Sequence, residues 1–118
     1  MGASTSDDLV SVLVPTYNRA ALIGETIKSA LSQTHANIEV IVVDNASTDD
    51  TWAVIESLAR KDSRIKAFRN ESNIGPVRNW LRCVREAKGV FGKILWSDDL
   101  LHPEFLIQAI DAMKHPSV

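Results

Sequence analysis

Carboxylate side chains follow two apolar segments of this chain. Asp98 and Asp99 come shortly after the segment 93–96, and Asp44 comes directly after the segment 38–43. Two adjacent carboxylates can hold Mg²⁺ or Mn²⁺ against a diphosphate, whose charge the metal neutralises. An Asp-Asp pair taken alone more often caps the helix that follows it. With Asp44 at the same edge of the predicted sheet, the pattern favours a metal site.

Another polar segment follows Pro15 and consists of Thr16, Tyr17, Asn18 and Arg19. It supplies a hydroxyl, an aromatic face and a cation. A turn alone would explain Asn18 but not Tyr17 and Arg19 as well, since arginine is suited to bidentate contact with phosphate. The segment therefore predicts contacts with a phosphorylated small molecule.

Other polar residues after the strands are candidates that also have ordinary structural explanations. Asp44 can form a strand-end turn, and Asp49 is the stronger helix cap of the two. Gly75 is explained by a positive φ angle and Arg78 by solvation on a helix, while Asn73 is a weak signal by itself. Their common position after strands keeps all of them in the candidate set.

These segments require elements that bring them to one edge. Apolar periodicity predicts strands at about 10–14, 38–43, 65–68 and 93–96, which alternate with helices at about 22–33, 51–60, 76–88 and 103–113. The βα order predicts an α/β fold, a Rossmann-like and largely parallel sheet of about four strands with helices on both faces. Ligands of such sheets bind beyond the carboxyl ends of the strands. The residues predicted to face inward from the last two helices are Val77, Trp80, Leu81, Val84, Leu106, Ala109, Ile110 and Met113.

Composition limits the class of protein. The chain has 118 residues, 13 Lys plus Arg against 15 Asp plus Glu, a formal net charge of −2 and 45% hydrophobic residues. This is the size of one domain that buries about two thirds of its unfolded surface, which argues against intrinsic disorder. The near-neutral charge argues against nucleic acid as a partner bound through bulk positive charge.

Sulfur, imidazole and targeting signals exclude further classes. Cys83 is the only cysteine, which excludes an intrachain disulfide and a cysteine-rich zinc module and fits a reducing compartment. Its side chain is expected to be a small buried hydrophobic group. His35, His102 and His115 lack the spacing of metal ligands. Residues 1–8 lack the regions of a signal peptide and are predicted to be a disordered end or one added in cloning. No apolar run approaches the roughly 20 residues that a bilayer requires.

Four motifs, in order along the chain, resemble those of the family 2 glycosyltransferases, which are inverting enzymes with the GT-A fold. The motifs are VSVLVPTYNR at 10–19, VVDNASTD at 42–49, NIGPVRNW at 73–80 and SDDLLHP at 97–103. The resemblance covers the chain from about Leu9 to its end. It implies that 9–118 is one GT-A donor-binding domain.

The resemblance implies a nucleotide-diphosphate sugar donor bound with Mg²⁺ or Mn²⁺. It assigns the nucleotide pocket to 15–19, the base contact to Asp44 and the shape of the same turn to 47–49. It places the second acid of the family's Asp-x-Asp motif on Asp98 and a further acid on Asp99, so both are predicted metal ligands. The predicted donor-binding residues are Pro15, Thr16, Tyr17, Asn18, Arg19, Asp44, Ser47, Asp49, Asn73, Gly75, Arg78 and Asp98.

Two positions depart from the family pattern. Trp96 and Ser97 stand where the first acid of the Asp-x-Asp motif is expected. Asn45 stands where a second Asp usually follows Asp44, which keeps hydrogen bonding but loses a charge. Weaker metal affinity is the expected consequence.

The resemblance places the catalytic base outside this chain. Inverting transfer needs a general base that deprotonates the acceptor hydroxyl as it attacks the anomeric carbon. In the family, the base and the acceptor-binding elements follow the Asp-x-Asp strand, which implies that they lie beyond Val118 and that the chain is a donor-binding half, inactive alone. The resemblance also implies a glycan or lipid-linked acceptor and a role in cell-envelope polysaccharide synthesis. It further implies a cytoplasmic protein that contacts the membrane only through segments outside this chain.

Two alternative functions stay open. A nucleotide-binding or interaction domain that has lost catalysis fits the missing first acid. A phosphoacceptor receiver domain shares the βα order but needs an acidic pair after the first strand, where this chain has Thr16-Tyr17-Asn18. Dinucleotide-binding and P-loop folds are excluded, because neither Gly-x-Gly-x-x-Gly after the first strand nor Gly-x-x-x-x-Gly-Lys-Ser/Thr occurs.

Overall fold

A computed structural model, which describes residues 8–114, contains four strands that alternate with four helices. The strands are β1 (Val10–Thr16), β2 (Ile38–Asp44), β3 (Ile65–Arg69) and β4 (Phe91–Ile94), and the helices are α1 (Ile23–Leu31), α2 (Thr51–Lys61), α3 (Pro76–Glu86) and α4 (Phe105–Lys114). Every pair of neighbouring strands is parallel, and their order is β3-β2-β1-β4. The predicted α/β fold with a parallel four-stranded sheet is confirmed.

The two central strands are buried along their whole length, as continuous apolar strands of parallel sheets usually are. Their side chains alternate between two cores. One core, around Val12 and Val40, is covered by α1, α2 and α4, and the other, around Leu13 and Ile41, is covered by α3 through Cys83. Helices therefore lie on both faces of the sheet, as predicted.

β1 extends two residues further than predicted and includes Pro15. Pro15 and Thr16 stay in register with β2, where Thr16 lies opposite Asp44. β1 pairs with β4 only as far as Leu13. Pro15, which has no N–H group, follows this last pair and so interrupts no pairing with β4. The hydroxyl-bearing Thr16 is consequently held by the sheet and not by a loop.

β4 begins and ends two residues earlier than predicted. It pairs with β1 from Phe91 to Ile94, and the chain then bends away from the sheet. The bend is held by Thr26 of α1, whose Oγ1 lies 3.1 Å from the carbonyl oxygen of Ser97 and 2.8 Å from that of Asp99. The residues from Ser97 onward therefore form a loop at the edge of the sheet.

α4 begins at Phe105 and not at Pro103 as predicted, because Gln33 fixes the preceding turn. Gln33 Nε2 donates to the carbonyl of His102 at 2.7 Å, and Gln33 Oε1 accepts from the N–H of Leu106 at 3.1 Å. The residues that α4 buries are Leu106 and Ile110. The prediction that Met113 faces inward is wrong, since the last turn of α4 extends past the core.

α3 presents a different face to the sheet from the one that apolar spacing predicts. Val77, Leu81 and Val84 are 65%, 45% and 46% exposed, Trp80 is half-buried, and Asn79 is buried against the sheet. Asn79 Nδ2 donates to a carbonyl of β2 at 3.2 Å. Leaving such a buried amide or carbonyl without a partner costs about 1–3 kcal/mol, and the contact between Asn79 and β2 avoids this cost.

The described region ends in contacts between its two termini. Lys114 Nζ lies 3.2 Å from Asp8 Oδ2, and His35 Nε2 lies 2.9 Å from the carbonyl oxygen of Asp8. Residues 1–7 of the predicted disordered tail lie outside the described residues. Between residues 8 and 114, no helix combines the length and the apolar content needed to cross a bilayer.

Cys83 gives a test of how tightly α3 packs on the sheet. Burial raises the pKa of its thiol to about 12, because the thiolate would lose its solvation. We expect Cys83 in the native protein to react with Ellman's reagent at pH 8 at least about 100-fold more slowly than in denaturant.

The same shift sets a pH dependence. The stability that the buried neutral thiol contributes is complete below the unfolded pKa of about 8.5 and is lost as the pH rises through that value toward the folded pKa. In the reaction of Cys83 with Ellman's reagent, a native rate within a few-fold of the denatured rate would show that α3 opens readily. That result would contradict the packing of α3 on the sheet.

Candidate functional site

The carboxyl ends of β1 and β4 frame a cleft. β1 and β4 are neighbours in the sheet, and the cleft lies beyond their carboxyl ends, where ligands of parallel sheets usually bind. The cleft has a volume of about 290 Å³. Its lining residues are Pro15, Thr16, Tyr17, Arg19, Asn45, Asn73, Pro76, Asn79, Trp96 and Ser97.

The structure divides the predicted donor-binding residues into two groups. Those that line the cleft are Pro15, Thr16, Tyr17, Arg19 and Asn73. Those that lie outside its lining are Asn18, Asp44, Ser47, Asp49, Gly75, Arg78 and Asp98. The contacts of the second group show what most of its members do within the fold.

Thr16 closes the inner end of the cleft. Its side chain is 3% exposed, and its Oγ1 has no hydrogen-bond partner among residues 8–114. The backbone at Thr16 is satisfied, because its carbonyl accepts from the N–H of Asn45 at 2.9 Å. A buried hydroxyl without a partner is uncommon and costs about 1–3 kcal/mol, so a bound molecule that supplied a partner would remove this cost.

Aromatic and cationic side chains stand at the mouth of the cleft. Tyr17 follows β1 and Trp96 follows β4, and both are partly exposed. Arg19 Nη1 lies 3.2 Å from the carbonyl oxygen of Asn18, and the side chain is exposed. Aromatic faces can stack on a nucleobase, and a guanidinium can bind phosphate. Sequence reasoning missed Trp96, which it treated only as the absence of an acid.

Asn18 joins two loops and does not line the cleft. It has a φ of 50°, which Asn tolerates better than most residues. Its Oδ1 accepts from the N–H of Thr48 at 2.9 Å, and its own N–H donates to Ser47 Oγ at 2.9 Å. The loop after β1 is thereby attached to the loop after β2. The predicted nucleotide contact of Asn18 stays a prediction.

Asp44 is fully buried, and protein groups engage both of its carboxylate oxygens. The Ser47 hydroxyl donates to Oδ1, and Arg69 Nε lies 3.3 Å from Oδ2. Arg69 in turn lies over the ring of Trp52, with 5.9 Å between its Cζ and the ring centroid. Asp44 and Ser47 thus hold the loop after β2, and the predicted base contact stays untested. Arg69 was missed, although a cation that ends the strand beside a buried Asp is a usable signal.

Asp49 stabilises the start of α2, but it is not the helix cap that the sequence predicted, because Asp50 occupies the N-cap position. The hydroxyl of Thr51 donates to Asp49 Oδ1 and holds the pKa of Asp49 below its usual value, with the N–H groups of Thr51 and Ala20 adding to the effect. The contribution of this carboxylate is present above the unfolded pKa and is lost as the pH falls through the lowered one.

Asparagines that sequence reasoning largely missed form one wall of the cleft, where Asn45 and Asn79 are buried and Asn73 is exposed. Asn70 Nδ2 donates to Asn45 Oδ1 at 3.0 Å and to Asn79 Oδ1 at 2.8 Å, and Asn45 Nδ2 donates to Asn73 Oδ1 at 2.9 Å. Asn45, Asn73 and Asn79 line the cleft, whereas Asn70 lies behind it. A polar residue within a helix that packs on a sheet was the available signal for Asn79.

Gly75 and Arg78 are placed as their structural explanations predicted. Gly75 precedes α3 with a φ of 86°, and its N–H donates to Asn73 Oδ1 at 2.8 Å. Arg78 is exposed on α3, and its side chain has no ion pair with residues 8–114. Gly75 therefore shapes the wall through its backbone.

Asp98 and Asp99 lie exposed in the turn after β4, next to the cleft residue Ser97. Neither caps α4, which begins at Phe105. No group of three or more His, Cys, Asp or Glu side chains in the described part of the chain is arranged to hold a metal by itself. Two accessible carboxylates fit Mg²⁺ or Mn²⁺ only when other oxygens complete the shell, and Mg²⁺ commonly takes these from substrate phosphates and water.

The loop attachment at Asn18 can be tested by two substitutions. Asn18→Ala and Asn18→Gly both remove the hydrogen bonds of the side-chain amide, and Asn18→Ala also places alanine, which tolerates positive φ poorly, at a φ of 50°. We expect losses in the free energy of unfolding of about 2 kcal/mol for Asn18→Ala and about 1 kcal/mol for Asn18→Gly. Chemical denaturation followed by circular dichroism measures both, and an Ala variant at least as stable as the Gly variant would contradict the described backbone.

Comparison with known proteins identifies a family. The model of Glycosyl transferase family 2 matches residues 11–118. Over 92 residues, the chain is 42% identical to the Escherichia coli UDP-Glc:alpha-D-GlcNAc-diphosphoundecaprenol beta-1,3-glucosyltransferase WfaP. This match covers 78% of this chain and 36% of that protein. It is 41% identical over 93 residues to the Campylobacter jejuni GalNAc(5)-diNAcBac-PP-undecaprenol beta-1,3-glucosyltransferase, covering 78% of this chain and 30% of that protein.

Solved structures agree with these relatives. The fold superposes with a TM-score of 0.87 and 29% identity on the mannosyltransferase PcManGT of Pyrobaculum calidifontis in complex with GDP-Man and Mn²⁺, covering 98% of this chain and 35% of that one. It superposes with a TM-score of 0.81 and 34% identity on S. aureus TarS 1-349 in complex with UDP-GlcNAc, covering 90% and 31%. The chain thus spans about a third of the length of these proteins.

Proposed function

The chain belongs to glycosyltransferase family 2, and from this membership we propose that its cleft binds the nucleoside diphosphate of a sugar donor for an inverting, metal-assisted transfer. The proposal rests chiefly on Thr16, whose buried hydroxyl lines the cleft and has no hydrogen-bond partner among residues 8–114. Similar proteins in complex with UDP-GlcNAc and with GDP-Man support a donor of this class.

Each part of the donor has a matching group in the cleft. Tyr17 and Trp96, which follow the neighbouring strands β1 and β4, supply aromatic faces for the base. Thr16 and Asn73 supply polar groups for the base or ribose, and Arg19 supplies a positive charge for the diphosphate. A net-acidic chain needs such local charge to hold an anion.

Asp98 and Asp99 are the residues that would hold Mg²⁺ or Mn²⁺, and a Mn²⁺-containing relative supports this metal class. A metal bound there would neutralise the charge that develops on the departing diphosphate. Since Trp96 and Ser97 replace the first acid of the family motif, the metal is expected to bind weakly without the nucleotide.

The transfer forms a bond between an acceptor hydroxyl oxygen and the anomeric carbon as the bond from that carbon to the diphosphate oxygen breaks. The nucleoside diphosphate leaves, and the hydroxyl proton passes to a general base. We expect this base to be a residue other than those described as lining the cleft, which include no Asp, Glu or His. A lipid-linked diphosphate acceptor is supported by the names of two relatives, and a cytoplasmic position at the membrane stays a prediction.

Thr16→Val tests the nucleotide site with an isosteric change. Because the hydroxyl has no protein partner, we expect the free energy of unfolding to stay the same or to rise. We expect the affinity for UDP or GDP, measured by calorimetry with Mn²⁺, to fall about 3- to 10-fold, which is the value of one hydrogen bond. Undiminished affinity for every nucleotide that the wild type binds would place the ligand elsewhere.

The metal ligands are tested by Asp98→Asn and Asp99→Asn. We expect each variant to lose most of the gain in nucleotide affinity that Mn²⁺ gives, while affinity without metal changes little, because the amides are uncharged but similar in shape. Glu56→Gln, an exposed change on α2, is the matched control and should leave the gain intact. A gain that survives in both Asp variants would exclude the proposed ligands.

A nucleotide-binding domain without catalysis is the second candidate, and the replacement of the first acid by Trp96-Ser97 favours it. Both candidates predict nucleotide binding in the cleft. They differ in turnover by a protein that also contains acceptor-binding elements, which only the enzyme would show.

A further inference from the structure

We propose that Thr26 of α1 is a positioning residue for metal binding, which acts by fixing the backbone on both sides of the Asp98–Asp99 pair. The proposal rests on the proposed function, since the two carboxylates are taken to hold Mg²⁺ or Mn²⁺ beside the nucleotide. Thr26 is 1% exposed and does not line the cleft. Its effect therefore passes through the turn that carries the carboxylates, which comprises residues 96–100 and is called the acidic turn below.

The acidic turn is held at both ends by other elements. Before it, the N–H of Leu95 donates to the carbonyl of Leu13 on β1 at 2.8 Å. After it, the N–H of Leu101 donates to Ser29 Oγ on α1 at 3.0 Å. Leu95 and Leu101 are also buried in the core. These anchors fix where the turn begins and ends but leave the five residues between them to be placed by other contacts.

Thr26 is what attaches the interior of the acidic turn. Thr26 Oγ1 lies 2.8 Å from the carbonyl oxygen of Asp99 and 3.1 Å from that of Ser97. A hydroxyl has one proton, so the two carbonyls share it in a three-centre bond. The N–H of Asp99 donates to the carbonyl of Trp96 at 2.9 Å, but this bond lies within the turn and sets its shape. Within the region 8–114, no other hydrogen bond joins the acidic turn to another element.

The two carbonyls that meet Thr26 bracket the acidic pair. The carbonyl of Ser97 belongs to the peptide group that leads into Asp98, and the carbonyl of Asp99 belongs to the peptide group that follows Asp99. Holding both against one oxygen atom sets where the two side chains leave the backbone. Both acidic side chains are exposed, so packing does not hold them in place. Groups that bind a metal have to be held within about 0.5 Å of their productive positions.

α1 also holds the cation that is proposed for the diphosphate. The N–H groups of Leu22 and Ile23, at the start of α1, donate to the carbonyl of Arg19 at 2.9 and 2.8 Å. Thr26 lies one turn further along the same helix. One short helix thus connects the backbone of Arg19 to the acidic turn, so Thr26 sets the position of the metal ligands relative to a positive charge that serves the same diphosphate.

The neighbouring polar contacts of α1 serve a different purpose. Gln33 lies on the same face of the helix as Thr26 and bonds to the carbonyl of His102 and the N–H of Leu106. These bonds hold the start of α4, which packs into the core. Thr26 instead holds exposed residues, whose exact position matters little for burial and much for binding a cation. The two roles are separable by experiment.

Thr26→Val is the informative variant, because valine keeps the β-branched shape and removes only the hydroxyl. We expect the gain in UDP or GDP affinity that Mn²⁺ gives, measured by calorimetry on the folded chain, to fall at least about 5-fold. Affinity without metal should stay within about 2-fold of the wild type, since no cleft contact is lost. Thr26→Ser keeps the hydroxyl and should restore the gain to within about 2-fold.

Thr34→Val is the matched control. It makes the same change on a hydroxyl that lies 3.3 Å from the carbonyl oxygen of Pro103, outside the acidic turn, and should leave the gain from Mn²⁺ intact. A gain that survives in full in Thr26→Val, or one that falls equally in Thr26→Val and Thr26→Ser, would overturn the proposal.

Paramagnetic broadening by Mn²⁺ gives a readout that needs no nucleotide. We expect added Mn²⁺ to broaden the backbone amide signals of Asp98 and Asp99, and we expect Thr26→Val to need at least about 5-fold more Mn²⁺ for the same broadening. Equal broadening in the wild type and in Thr26→Val would overturn the proposal. A wild type that showed neither broadening nor a gain from Mn²⁺ would overturn the metal part of the proposed function, and this proposal with it.

Should Thr26→Val not fold, Thr26→Ala replaces it, because alanine favours a helix and differs from serine only in lacking the hydroxyl. A gain from Mn²⁺ at least about 5-fold smaller in Thr26→Ala than in Thr26→Ser would support the proposal, and an equal gain in the two variants would overturn it.

Discussion

Polar groups at the carboxyl ends of two fully buried strands must be satisfied inside the protein, and this requirement organises the rest of the structure. The carbonyl of Thr16 accepts from the N–H of Asn45, and the carbonyl of Asp44 accepts from the N–H of Asn70. The carbonyl of Val43 accepts a hydrogen bond from Asn79 Nδ2 of α3. Each bond draws a loop or helix over the end of the sheet. The cleft lies beside the end of β1, which continues to Thr16 after its pairing with β4 has ended at Leu13.

The same requirement determines how α3 is rotated. Apolar spacing predicts that α3 buries Val77, Leu81 and Val84. The observed α3 instead buries Asn79, which forms hydrogen bonds with β2 and with Asn70. An apolar stripe is consequently left exposed on α3. In this rotation Asn79 satisfies polar groups at the end of β2 and on Asn70, each of which would cost about 1–3 kcal/mol if it were buried without a partner.

Several residues that the sequence marked as candidate ligand contacts form hydrogen bonds or ion pairs within the protein. They hold in place the loops that surround the cleft. Asn18 attaches one loop to another, while Asp44 and Ser47 hold the loop after β2 together with Arg69. The groups left for a ligand are fewer and are arranged around Thr16. A family motif can thus mark residues that shape a site as well as residues that touch its ligand, and sequence alone does not separate the two.

The sequence by itself determined the α/β class, the strand order along the chain, the family, and the sheet edge that carries the polar residues, because hydrophobic periodicity and short motifs are local properties. It also gave Thr16 and Tyr17 a place in the cleft, since both end or follow a strand. Only the tertiary structure decided that Asn70 stands behind the cleft. Asn70 bonds to Asn45, which lies 25 residues earlier in the chain, so this arrangement depends on three-dimensional distance and not on spacing.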